Sequence, residues 1–593
     1  MLAAALRFFH FTDIPFTHDE FSAIRRTSYN SLSQLLNLGV KNDGHPALVQ
    51  VFLYYYIQWV GPVEHWIKLP FILSGIGVVC LLYMSTRQRL GETSAIVIAT
   101  LSGLLSYPLY FSQIARPYIS GLFLVLMAFY FWQRLMYGKP KWWDFVTYSI
   151  ALALCAYNHH FSALQAAIIA LSGLFIVKAD YRRGYLLSLF GAMVLYAPHL
   201  PIFIFQLQKG GVGGPEGWLP APQVDFITHY LQYVFHFSWW MYGIAGLLVL
   251  WSFTTLKQGT LTRFRLLMLM WFAIPFAIGF AYSYWVNPVL QHSVLLFGFP
   301  FLLLFLFGGL PEIKIYKQWL LFAAVASIGV ISLINERRYY ELFYNSAYEE
   351  IVVETNRQES GKLKFINSHS DITAFYAERH ALGDNVHYFN NSADLDSLSQ
   401  MLTYANSTSL SYGNGPNGEE MIVGAFGKFY PYVGKVEYYH NGAFYELRKD
   451  KGVPLYKVKS CKPMIKDTAD PAEWKLLYEG KVSNLISGKY DVIDANMQIG
   501  PLSKDDEVYW VWQVLGSNDT VLNWQAKRIV GNKEGTDYHS YFSLYMRDKH
   551  FPTEAEVKIL IWNQTRTPIE IKEACIKVRE GNPVKYGLYH PVP

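Results

Sequence analysis

The stretch IKLPFILSGIGVVCLLYMS, residues 67–85, carries one charge, Lys68, near its start, and TRQR with Arg87 and Arg89 follows at once. A backbone in hydrocarbon must satisfy its own hydrogen bonds, so ~20 mostly apolar residues read as a membrane-spanning helix. Working outward, similar runs lie at 93–111, 118–135, 143–157, 161–178, 184–206, 230–255, 266–284, 287–308 and 318–334. MLAAALRFF at 1–9 reads as the last two turns of a helix and is too short for a signal peptide, so the natural start is expected upstream. The expected fold class is a polytopic α-helical membrane protein of about 11 spans, the first truncated, followed by extracytoplasmic α/β and β-sandwich domains. The expected boundaries are 1–335, 336–460 and 461–593.

Composition agrees. The 593 residues are 52% hydrophobic and 16% charged, against about 25% charge in an ordinary soluble protein. The net charge of +5 is weak evidence of any partner, and the Lys and Arg sit mostly in short loops between apolar runs, so no nucleic-acid partner is expected. Those cations follow alternate spans: Arg87 and Arg89; Arg134, Lys139 and Lys141; Lys178, Arg182 and Arg183; Lys257, Arg263 and Arg265; Lys314 and Lys317. That side is expected to be cytoplasmic. The opposite loops and everything after about Asn335 then face outward. The aromatic stretch 47–60 is expected to lie along the outer surface.

The polar half opens with a helical connector, NERRYYELFYNSAYEEIVVETN. A strand at 362–367, a helix at 372–382, a strand at 386–389 and a helix at 395–405 predict a small α/β unit with no phosphate-binding glycine loop. From about Trp474, VYWVWQVL, YFSLYM, VKILIWN and CIKVRE predict a β-sandwich whose aromatics are open to two readings, core or carbohydrate contact. Cys80 and Cys155 lie in apolar runs and read as packing residues. Cys461 and Cys575 are open to a disulfide or to two free thiols.

Three polar clusters fall on the outer side. FTDIPFTHDEFSAIRR places Asp19 and Glu20 ahead of Arg25 and Arg26; NDGHPALVQ places His45 before Pro46; YPLYFSQIARPYISG places Arg116 and Tyr118 at a span end. With YNHHFSAL at 157–164, the set resembles the GT-C glycosyltransferases. The branch it is most similar to is the protein O-mannosyltransferase and lipid A aminoarabinose transferase group, in bacterial family 39/83 style. The resemblance covers about residues 1–335 and implies transfer of a sugar from a polyprenyl-phosphate carrier to an acceptor at the outer face. A bacterial inner membrane with periplasmic C-terminal domains is implied with it.

On that resemblance, Asp19 is the expected base and Glu20 the second choice, with a divalent cation at the pair as a possible cofactor. His45, Arg116, Arg25 and Arg26 are expected to hold the donor phosphate. Tyr118, His159, His160 and His292 are further expected substrate contacts, and the 47–60 stretch would hold membrane lipid or the lipid tail. Direct displacement would invert the anomeric carbon. The Gly210–Gly214 loop with Pro215 and Trp218 reads as a lid or a connector. Two departures stand out: the segment Gln113–Tyr118 holds no acid, and Gln291-His292-Ser293 stands where an Arg-Tyr pair is usual. The rivals are a lipid or glycan transporter, a non-catalytic scaffold with glycan-binding outer domains, and a polysaccharide polymerase or ligase. The absence of an internal repeat disfavours the transporter. The acceptor is left open among protein, lipid and polysaccharide.

Overall fold

The computed structural model describes residues 1–209, 219–254, 259–359, 361–389, 395–416, 418–462, 465–467, 471–529, 537–545, 551–585 and 590. The chain divides into two compact units, Met1–Tyr344 with a short C-terminal segment, and Asn345–Gly587. The loop expected as a lid, 210–218, lies outside the described residues.

The first unit is helical and multi-pass. Five helices are long and apolar enough to cross a membrane: Glu64–Leu90, Ile119–Tyr137, Ala179–Lys209, Thr262–Trp285 and Ile315–Glu336. Two further runs are broken. Glu92–Leu104 and Ser106–Ser112 meet at 58°, and Phe226–Val234 and Trp239–Phe253 meet at 99°. The described residues thus give seven spans if each bent pair counts as one. Three runs expected to span form shorter helices, Trp142–Asn158, His160–Gly173 and Phe299–Phe307, the last after a 3-10 turn at His292–Phe297.

Each break has a physical cause. Pro108 has no amide hydrogen to give Leu104, so the ladder stops there and restarts at Ser106. At the second break His236 and Phe237 adopt positive φ of 64° and 52°. The turn is held because His236 Nε2 accepts the Ser106 amide at 2.8 Å while Nδ1 faces Ser332 Oγ at 3.0 Å. Ser106 opens a helix, so its amide has no intrahelical acceptor. One imidazole therefore satisfies a donor freed by the other break.

Helix Ala47–Val60 has 14 residues, ~21 Å at the α-helical rise and too short for the ~30 Å core. It buries Val49, Gln50, Leu53 and Tyr54 and exposes Phe52, Tyr55 and Trp59.

The second unit begins with helices and a six-stranded mixed sheet. Leu363–Asn367 pairs in parallel with His387–Phe389 on one side and Ser409–Asn414 on the other. Antiparallel strands Gly442–Arg448, Tyr432–Tyr439 and Val453–Pro454 complete it. Next come two antiparallel sheets. One is five-stranded and contains Tyr456–Lys462, Asp491–Ile499, Tyr538–Tyr545 and Ile569–Glu580. The other contains Trp474–Lys481, Val508–Leu515, Val521–Arg528 and Glu556–Asn563. Their facing sides share a core with Trp510, Trp512, Ile493 and Ile559, so two of the tryptophans are packing residues. Trp474 and Trp524 are instead exposed. Cys461 and Cys575 are cross-strand partners and form a disulfide.

Candidate active site

The segment FTDIPFTHDE turns into helix His18–Arg25 through a capping box. The Glu20 amide donates to the Thr17 hydroxyl, and the Thr17 amide donates to Glu20 Oε2 at 2.8 Å. This places Glu20 inward and Asp19 outward. Glu20 is wholly buried and paired with Lys68, whose ammonium lies 2.8 Å from both carboxylate oxygens. The Ala115 amide donates to Glu20 Oε1 at 2.7 Å, and Lys68 also donates to the Gln113 carbonyl. Glu20 therefore ties the segment leading into helix His18–Arg25 to the 113–118 turn. With its oxygens so engaged it does not fit a shared cation site with Asp19. Asp19 has a side chain 63% exposed, with the His18 ring 3.9 Å away.

The NDGH segment is the centre of the site. Asp43 accepts from Arg26 Nη1 at 2.8 Å, and Arg116 Nη1 lies 3.9 Å from the same oxygen. His45 Nδ1 is 3.0 Å from Arg116 Nη2 and 3.5 Å from Asp43 Oδ1. Burial pushes the Asp43 carboxyl up, but His45, Arg116 and Arg26 outweigh it and hold the group well below the usual carboxylate range. Arg116 is almost fully buried, and its Nε has no partner. Two guanidinium groups against one carboxylate leave a net positive cluster.

Aromatic rings wall it. The His45 ring lies 5.1 Å from His159 and 6.1 Å from Tyr118, with Phe111 and Phe297 behind them. Burial pushes the Tyr118 hydroxyl up to about 12; Arg116 opposes the rise and the Asp19 charge adds to it.

Two residues hold the NDGH segment from outside. Gln206 Nε2 donates to the carbonyls of Val40, Asp43 and His45 at 2.8, 3.0 and 2.9 Å. Pro46 offers no side-chain cap to helix Ala47–Val60. His199 Nε2 accepts the Ala47 amide at 3.1 Å instead.

The structure thus brings together Arg26, His45, Arg116, Tyr118 and His159, while Asp19 stands exposed in the first turn of helix His18–Arg25. Arg25 is exposed at the end of its helix. His160 packs on Phe203, one helix position away from the cluster-lining His159. His292 stacks on Tyr233 beside Phe226 and Tyr230, and its carbonyl accepts from Tyr107. Sequence reasoning missed Asp43, Lys68, His199 and Gln206. Asp43 was within reach, two residues before His45, and T-H-D-E was a legible capping box. Among the described residues, the group of three with ligating atoms within 4.8 Å is Cys461, Glu573 and Cys575, and its sulfurs are joined to each other.

No protein-family model matches the sequence, and no curated protein matches it. Among solved structures, the chain is similar to ArnT from Cupriavidus metallidurans in the apo state. That likeness has TM-score 0.43 and 10% identity, covering 74% of this chain and 96% of that one. ArnT bound to undecaprenyl phosphate gives 0.33 and 10%, covering 76% and 98%. The Archaeoglobus fulgidus oligosaccharyltransferase gives 0.31 and 9%, covering 96% and 94%.

Proposed function

We propose that the chain is a GT-C-like membrane glycosyltransferase that moves a sugar from a polyprenyl-phosphate donor to an acceptor at the outer face of the membrane. The observation that carries this reading is the buried cationic cluster of Arg26, His45 and Arg116 around Asp43, with an aromatic helix following it directly in the chain.

In this reading the donor phosphate sits against Arg116 and His45, where charge-assisted hydrogen bonds grow stronger as the leaving group gains charge. Asp43 keeps the two guanidinium groups from repelling each other and orients them. Asp19 takes the proton of the acceptor hydroxyl or amine. The acceptor then bonds to the anomeric carbon, the carbon–oxygen bond to phosphate breaks, and the electron pair leaves with polyprenyl phosphate. Attack opposite the leaving group inverts the centre. Lys68 already neutralises Glu20, so in this reading the guanidinium groups meet the phosphate charge. Helix Ala47–Val60 presents Phe52, Tyr55 and Trp59 to the lipid.

The Cys461–Cys575 disulfide supports an extracytoplasmic second unit, because disulfides persist in oxidising compartments. Together with the positive-inside pattern this favours an extracytoplasmic C-terminal half; a bacterial inner membrane with that half in the periplasm is what the GT-C resemblance implies.

The test is a lipid extract from cells carrying wild type, Asp19→Asn or Arg116→Ala at matched protein levels. Both variants are expected to accumulate one polyprenyl-phosphate sugar that wild type consumes. Wild-type lipid profiles from both variants would sink the reading.

A further inference from the structure

The mixed sheet of the second unit changes its winding between two neighbouring parallel strands. From Leu363–Asn367 the chain runs into helix Ser370–Arg379, which packs with helix Ala347–Asn356. That pair covers the side of the sheet on which Ile351 meets Gly413. From Ser409–Asn414 the chain runs into helix Glu420–Phe429, whose Phe426 ring lies 4.9 Å from both Phe365 and Tyr412 on the opposite side. The two connections therefore leave adjacent strand ends towards opposite faces. In open α/β sheets such a switch point, outside the carboxyl ends of the strands, is where ligands bind.

The residues at this point are polar and buried. Asn367 and Asn414 end the two strands and are direct register partners, a strand spacing of about 4.8 Å apart. They are 1% and 4% exposed, and Ser368 is 7% exposed. A Cβ added at Gly415 would lie 2.3 Å from Ser368 Oγ, and the Gly415 amide donates to the Asn367 carbonyl at 2.7 Å. These four residues thus meet at one place. The side-chain oxygen of Asn414 accepts from the Tyr412 hydroxyl. Among the described residues, neither the nitrogen nor the oxygen of the Asn367 amide has a hydrogen-bond partner, and neither has the Ser368 hydroxyl. A leucine at 367 would avoid the cost of burying an unpaired amide, so the asparagine is explained by a ligand rather than by packing. Helix Ser370–Arg379 starts at the same strand end without a side-chain cap, which adds backbone donors. Ser370 and Asp371 are exposed, so the place opens to solvent on that side.

We propose that this switch point binds one glycosyl unit of a neutral glycan through its hydroxyl groups. An amide presents donors and an acceptor together, and the serine hydroxyl does the same, a pattern that neighbouring sugar hydroxyls answer. The two connections, 367–371 and 414–420, carry Asp371, Glu419 and Glu420 and no Lys or Arg, which disfavours an anion. The sugar is held rather than turned over, and the site lies wholly in the second unit. It does not rest on the transferase reading, because binding is measured without transfer.

The experiment is calorimetric titration of the purified full chain in nanodiscs with methyl mannoside, methyl galactoside and methyl arabinoside and, separately, with inorganic phosphate. Saturable binding of at least one glycoside is expected. Asn367→Leu and Ser368→Ala are each expected to weaken it about tenfold or more. Arg116→Ala is expected to bind the glycoside as wild type does, which separates this site from the cationic cluster of the first unit. The small Ser368→Ala change keeps the test decisive where Asn367→Leu unfolds the sheet. Saturation by no glycoside or by phosphate alone, wild-type affinity in Ser368→Ala, or loss of binding in Arg116→Ala overturns the proposal.

Discussion

Replacing Lys68 by Met strands the Glu20 carboxylate at 0% side-chain exposure, with only the Thr17 and Ala115 donors around it. Removing one partner of a fully buried ion pair costs about 3–5 kcal/mol, because an uncompensated charge remains. That is roughly two to nearly four powers of ten in the folding equilibrium. Glu20→Gln is expected to cost in the same range, since the buried ammonium then keeps only neutral acceptors in direct contact, the Gln113 carbonyl among them. The double variant Glu20→Gln/Lys68→Met removes both charges and is expected to recover about 2 kcal/mol or more of the summed loss. The assay is the denaturation midpoint of the purified protein in detergent for all four proteins of the cycle. Glu20 follows Asp19 and Ala115 precedes Arg116, so transfer activity is expected to fall in the single variants and partly return in the double. Additive losses, with the double as unstable as the two singles combined, would refute the buried-pair reasoning.

Asp19→Asn is expected to leave the denaturation midpoint unchanged, because the side chain is 63% exposed. Transfer should fall by about 10²–10⁴-fold, the usual worth of a general base; retained transfer removes Asp19 from the chemistry. Asp43 is held well below the usual carboxylate value by His45, Arg116 and Arg26 acting against its burial. Its contribution is therefore fully present above the unfolded value of about 4 and is lost as pH falls below that. Asp43→Asn is expected to flatten the acid limb of midpoint against pH, and an unchanged limb counts against the ion-pair account. Cys461→Ser opens a covalent link across a sequence separation of 114, with an expected loss of about 2–5 kcal/mol. A gel shift on reduction of wild type, absent in the variant, checks the bond itself.

The apolar runs were legible because hydrocarbon leaves a helix no alternative partner for its backbone. Pro108 was a readable signal for the first break. Nothing local marked the second, since His236 and Phe237 take positive φ only because Ser106 and Ser332 hold the imidazole. Strands 363–367, 387–389 and 508–515 fall within the short apolar or β-branched runs that marked them in the sequence. In the site, Arg116 and His45, expected from residue type, do lie together, whereas Glu20 is taken up by Lys68. An acid three residues after a threonine looks the same in sequence whether it meets a substrate or a lysine 48 positions away. Lys68 was hidden for a related reason: a lone charge in an apolar run gives no hint of its partner. Gln206 and His199 act on backbone groups more than 150 residues distant, and such contacts leave no pattern.

The bond between Ser106 and His236 also sets a timetable for biosynthesis. Its two ends are 130 residues apart. At ~5–20 residues per second, the first broken helix waits roughly 6–26 s after its own synthesis before its acceptor emerges. Until then the Ser106 amide has to be served by water or by the insertion machinery. The early helices of this chain therefore cannot settle into the bilayer one at a time in their final shape. The kink at Leu105 is a promise made to a partner not yet translated, and a chain stalled before residue 236 is expected to present that segment to the cell's quality control as unfinished.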